Sequence, residues 1–186
     1  MANVNSPFGF IPTRHMSGNS PRSNKYTILS GLAENIFSGD IVMLYTDGTI
    51  QPSNGASEAD KTIGVFGGCS YTASDGSYVY NEYWPTGTVA TDIIAYVYDD
   101  PNIVFRAQSA GTPAQTNIGN CADVTPGSGS TVTGNSASVI SGTMADTLAL
   151  TKIIALWDAP ENSFGQYAIL EVLLNEHLLA HNTAGI

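Results

Sequence analysis

At 186 residues, with 42% hydrophobic and only 12% charged side chains, the chain carries enough apolar material for one packed domain, and it is too hydrophobic and too weakly charged to be intrinsically disordered. Six Lys or Arg against sixteen Asp or Glu give a net charge of -10, which argues against a nucleic-acid partner, because phosphate binding needs clustered bases. No run approaches the roughly 18 apolar residues of a membrane span, and the opening residues lack the basic-then-apolar pattern of a secretory signal, so no membrane partner is expected.

Residues 1–25 read as an extended arm. Pro7, Pro12 and Pro21, with Gly9 and Gly18, limit any regular element there to a few residues. The segment is nevertheless apolar at Phe8, Phe10, Ile11 and Met16, and it is basic at Arg14, Arg22 and Lys25 with no acid, a charge of +3. Residues 26–186 carry the other three bases and all sixteen acids, hence -13. A cationic, proline-stiffened tail on an anionic body is expected to dock on an acidic surface such as a neighbouring copy, since a stiff segment loses less entropy on binding.

From residue 26 onward, short apolar runs alternate with turn signals. Strands are expected over 26–30 and 40–46, and Asp47-Gly48 then forms a hairpin into Thr49-Ile50-Gln51. Residues 52–60 read as a polar loop, 62–71 and 77–84 as strands, and 88–98 as the strongest strand, where the run from Ile93 to Tyr98 implies burial on both faces. Over 102–108, Ile103, Phe105 and Ala107 alternate with Val104, Arg106 and Gln108, the pattern of a half-buried strand. A Gly/Ser/Thr loop follows over 126–135, then strands over 136–141, 148–157 and 167–176. A helix over 169–179 fits the residues too, but the β-rich context favours a central strand. About ten short strands at this spacing define an all-β fold: a single β-barrel or β-sandwich domain over 26–186, with the arm over 1–25.

Chemistry-bearing patterns are sparse. The phosphate-binding loops G-x-x-x-x-G-K-[ST] and G-x-G-x-x-G are absent, as is the G-x-S-x-G nucleophile turn. His177 and His181 have helical metal-ligand spacing but lack the Glu directly after the first His, so they read as solvated terminal side chains. Asp99-Asp100-Pro101-Asn102 could offer oxygens to calcium, though Asp and Asn around proline ordinarily form turns. Cys69 and Cys121, with no C-x-x-C pair, read as two reduced, buried thiols. No paired carboxylates stand out for general acid–base work. The dense aromatics Tyr71, Tyr78, Tyr80, Tyr83, Trp84, Tyr96 and Tyr98 suit a core, a protein interface centred on Tyr78, Tyr80, Tyr83 and Trp84, or a sugar site. No catalytic residue, cofactor or metal ligand is assigned, and the chain reads as a non-enzymatic subunit of an assembly.

Several stretches, taken in order, resemble a known family. They are Asn3-x-Asn5-x-Pro7-Phe8-Gly9-Phe10-x-Pro12-x-Arg14-His15, Gly64-Val65-Phe66-Gly67-Gly68-Cys69-x-Tyr71, Tyr83-Trp84-Pro85 and Tyr98-Asp99-Asp100-Pro101. Ile118-Gly119-Asn120-x-Ala122-Asp123, Gly129-Ser130-Thr131-x-Thr133-Gly134 and Leu174-Asn175-Glu176-His177 continue the series. Together they resemble small virion proteins of tailed bacteriophages. The resemblance implies a capsid cement or decoration protein, made in the host cytoplasm and carried on the capsid exterior. Its partners would be the major capsid protein and itself, as a homotrimer. On that expectation Pro7, Phe8, Phe10, Ile11 and Pro12 plug apolar pockets on a shell subunit or neighbouring copy, while Arg14, His15 and Arg22 meet carboxylates. The alternatives are a major capsid or head–tail subunit, or a β-barrel carbohydrate-binding protein.

Overall fold

The computed structural model describes residues 3–55 and 62–180, and these form fourteen β-strands with a single 3-10 turn at Gln115–Asn117. Five strands close a barrel: β2 (Asn24–Ile28), β4 (Ile41–Leu44), β5 (Thr49–Pro52), β6 (Thr62–Ala73) and β9 (Ala90–Tyr98). β4 and β5 form the hairpin expected at Asp47-Gly48, where Tyr45 N–H donates to Thr49 O and the Asp47 carboxylate accepts from the Thr49 N–H and hydroxyl. β5 then pairs in parallel with β2, and antiparallel contacts from β2 to β9, β9 to β6 and β6 to β4 complete the ring. The twelve-residue β6 is long enough to serve β4 with its first half and β7 (Tyr78–Asn81) with its second. A short pair, β3 (Ile36–Phe37) with β8 (Tyr83–Trp84), sits beside the barrel.

The second half is a six-stranded antiparallel sheet in the order β1 (Ile11–His15), β10 (Ile103–Gln108), β14 (Ile169–Leu174), β13 (Thr151–Leu156), β11 (Cys121–Thr125) and β12 (Val139–Ala145). It nearly closes on itself, because Ser109 bridges Ile140 and Ala110 N–H donates to Ile140 O. Within the stretch over 169–179, Ile169–Leu174 forms the expected central strand, flanked by β10 and β13, and bends and turns follow it.

Two apolar cores result, and they share a wall. Val42, Phe66 and Val97 point into the barrel with Ile28, Ile50, Ile63 and Trp84. Their chain neighbours Ile41, Val65 and Tyr98 point the other way, against Phe105, Leu150, Ile153 and Val172. Because side chains alternate along a strand, a wall with a core on each side must be apolar at successive positions. In β9 this holds only at the end: Tyr98 packs on the second core, whereas Ala95 and Val97 are buried in the barrel and Ile94 and Tyr96 between them are half-buried, so the burial on both faces expected from Ile93 to Tyr98 is partial. The expectation of one barrel or sandwich holds at the level of class, with a closed five-stranded barrel backed by a second sheet.

The separation of residues 1–25 from the body needs correction. Within this chain β1 pairs with β10, and Phe10 is completely buried in the second core beside Ile41 and Val65. Gly9 allows this insertion: its φ is +74°, and a Cβ there would lie 2.6 Å from Ser136 Cβ. Pro12 is tolerated because β1 is an edge strand with a register shift between Pro12 and Arg14.

Candidate functional site

The N-terminal segment lies along the second sheet and is pinned from its start. Asn3 Nδ2 donates to the carbonyls of Ser163 and Gln166, each at 2.9 Å, and Gln108 Nε2 donates to Val4 O at 2.8 Å while its Oε1 accepts from Ser6 N–H. Further on, Phe10 N–H donates to Gly39 O. Arg14 Nη2 meets Glu171 Oε2 at 2.8 Å, and His15 Nε2 lies 3.0 Å from Asp100 Oδ2. The expected interface residues therefore divide. Phe10 belongs to the chain's own core, and Arg14 and His15 already have carboxylate partners within the chain. Phe8, Ile11 and Pro12 are half-buried, whereas Pro7 and Arg22 are exposed. Val4 (76% exposed) and Met16 (52%) add apolar side chains to the outward face of the segment.

The aromatic group divides in the same way. Trp84 is fully buried, edge-to-face with Tyr71 at 5.2 Å, so it is a core residue and no part of an interface. Tyr83 stacks on Phe37 at 5.5 Å. Tyr78 and Tyr80, 68% and 63% exposed, stand on the outer side of β7, and the Tyr80 ring lies 6.0 Å from that of Tyr96. Burial and the neighbouring Glu82 carboxylate raise the Tyr80 phenol above its ordinary pKa. Among the described residues β7 pairs only with β6, so a two-tyrosine patch lies beside a strand edge that no described strand covers.

Between the barrel and the second sheet opens a cleft of about 640 Å³, walled by Phe37, Ile41, Pro52, Val124 and Pro126. At its floor Asp40 Oδ1 accepts from the Ser136 and Ser138 hydroxyls at 2.5 and 3.1 Å, and Oδ2 accepts from Phe37 N–H at 2.8 Å. Burial raises the Asp40 pKa, and these three donors offset part of that rise. The network ties Ser136 and Ser138, just after the loop over 126–135, to the end of β3; the strand expected over 136–141 begins only at Val139. A second, polar cleft of about 720 Å³ is lined by His15, Asn19, Ser20, Arg22, Asn24, Asp99, Asp100 and Ile103. Asp99 accepts from Asn24 Nδ2 and, at 2.6 Å, from the Tyr26 hydroxyl; burial and this contact drive the tyrosine pKa upward. Asp100 accepts from the backbone N–H and side-chain amide of Asn102, the turn geometry expected of Asp and Asn around Pro101.

His177 is not a solvated terminal side chain. It is completely buried, and desolvation lowers its pKa from 6.5 to about 4. Its companion His181 lies outside the described residues. Among the described residues no group of three His, Cys, Asp or Glu side chains converges as metal ligands would. Cys69 and Cys121 are both free thiols; burial pushes Cys69 up to about 12, and Cys121 is half-exposed.

Sequence reasoning missed the Asp40–Ser136–Ser138 network and a group built on Arg106, whose guanidinium carbon lies 5.7 Å from the Phe8 ring centroid and 5.2 Å from that of Trp157. Arg106 was visible as a polar position in a half-buried strand, but its ring partners are distant in sequence. No family model, no curated protein and no solved structure matches this chain.

Proposed function

We propose that the chain is a structural virion protein that binds the outer surface of a bacteriophage capsid and bridges neighbouring shell subunits. The order of the family-like motifs along the whole sequence is the first support. The observation that carries the reading is the N-terminal segment itself: it is ordered before any partner arrives, and it turns Val4, Pro7, Met16 and Arg22 outward. A pre-ordered contact surface loses little entropy on docking, and several copies acting together turn modest contacts into firm attachment. The clasp is thus the outer face of a welded strap, with Phe10 serving as its internal anchor.

Removing the strap would expose the second core, so point substitutions test the role better than truncation does. M16D combined with R22E should leave folding intact and reduce occupancy on particles at least tenfold, measured by electron microscopy of particles incubated with purified protein. Unchanged occupancy would reject the strap as the contact. Trimers are part of this proposal through the resemblance, and sedimentation of the purified protein tests them.

One feature favours a second reading, binding of a neutral glycan. The cleft above Asp40 joins an aromatic and apolar wall to Asn, Ser and Thr side chains, and among the described residues it contains no Lys, Arg or His. Glycan-array binding that is lost on substitution of Asn35 and Thr86 at the rim would support it.

A further inference from the structure

We infer that Arg106, framed by Phe8 and Trp157, is a socket for a carboxylate carried on an acidic segment of a partner protein. Arg106 lies on β10 with its neighbours Phe105 and Ala107 turned into the second core, so its own side chain stands on the opposite face, between the buried Val104 and Gln108, and is itself half-buried. Both rings lie within cation–π range of the guanidinium. Stacking of this kind fixes the plane of the donor fork and shields it from water.

The hydrogen-bonding capacity of this group is unspent. Among the described residues none accepts a hydrogen bond from Arg106, and its Nε is buried without an acceptor. The nearest carboxylate in the ladder is Glu171, directly opposite Arg106 in register, but Glu171 Oε2 is held by Arg14 at 2.8 Å. Glu171 thus pairs with Arg14, and among the described residues no carboxylate lies within ion-pair distance of Arg106. A local positive charge is left in excess on a chain whose net charge is -10.

A planar fork held between aromatic surfaces matches a planar bidentate acceptor, which is what a carboxylate presents. Phosphate could also bridge the fork, but it has no apolar stem to lie against the two rings. Arg106 is half-buried on a sheet face rather than enclosed in a cavity, so a free organic acid would gain few further contacts. A peptide segment can add contacts along Phe8 and Trp157. This inference holds for any acidic partner and does not depend on the capsid reading: particle occupancy tests that one, and a peptide titration tests this one.

The test is NMR titration of the full-length ¹⁵N-labelled protein with acetyl-Glu-Glu-Glu-amide, following the Arg106 Nε–H and the Trp157 indole N–H. Acetyl-Gln-Gln-Gln-amide serves as the neutral control and inorganic phosphate as the rival anion. Saturable shifts are expected with the glutamate peptide alone, at least fivefold weaker in R106K, lost in R106Q and unchanged in K152Q. Absence of a saturable shift, its persistence in R106Q, or tighter binding of phosphate than of the peptide would overturn the assignment. If R106Q fails to fold, the wild-type and R106K titrations still decide the matter.

Discussion

His177 shows most clearly what burial does to a single side chain here. Its Nδ1 accepts from Leu179 N–H at 3.1 Å, and its Nε2 is buried with no partner among the described residues, so the neutral imidazole is the form the fold accommodates. Asp99 and Asp100 pull its pKa upward, but desolvation outweighs them and holds it near 4 against an ordinary 6.5. The unfolded chain therefore takes up a proton at a pH where the folded chain refuses it. Stability from this group is complete above about pH 6.5 and falls as pH drops toward 4; the gap amounts to roughly 3 kcal/mol. Urea titrations at pH 7 and pH 4.5 should show this loss, and H177L should remove most of it. An undiminished pH dependence in H177L would place the effect elsewhere. A sequence could not reveal this, because a histidine close to the end of a chain carries no mark of the neighbours that enclose it.

Among the elements, β6 bears the heaviest demands, since it pairs with β4, β7 and β9. Gly64 makes the crossing possible: its φ is +153°, and a Cβ there would lie 2.2 Å from Tyr98 O. G64A should cost upward of roughly 1–3 kcal/mol from backbone strain alone, read as a lowered urea midpoint. A midpoint within error of wild type would show that the strands can part without loss. Much of this layer was legible. Asp47-Gly48 marked its hairpin, and the run from Ile93 to Tyr98 announced a strand, although only Ala95 and Val97 of that run are fully buried. β11 and β1 escaped for different reasons. Cys121–Thr125 buries only Ala122 and Val124, too little apolar bulk to stand out. In Ile11–His15 the proline looked like a breaker, whereas an edge strand can spare the missing N–H. The Arg106 group was invisible for a third reason: three separate segments meet there, and a single sequence does not show which segments become neighbours.

For the molecule as a whole, the N-terminal strap is part of the folded body. Phe10 fills a site in the second core, and deletion of so large a buried ring typically costs about 3–5 kcal/mol. F10A should lose stability in that range by chemical denaturation; a loss below about 1 kcal/mol would mean that the strap is a detachable tail after all. The wall shared by the two cores carries a consequence for unfolding. Strands β4, β6 and β9 face both interiors, so neither half can open without stripping cover from the other. Unfolding that begins in either half therefore lays bare apolar side chains of the other, and both halves are expected to melt in a single transition.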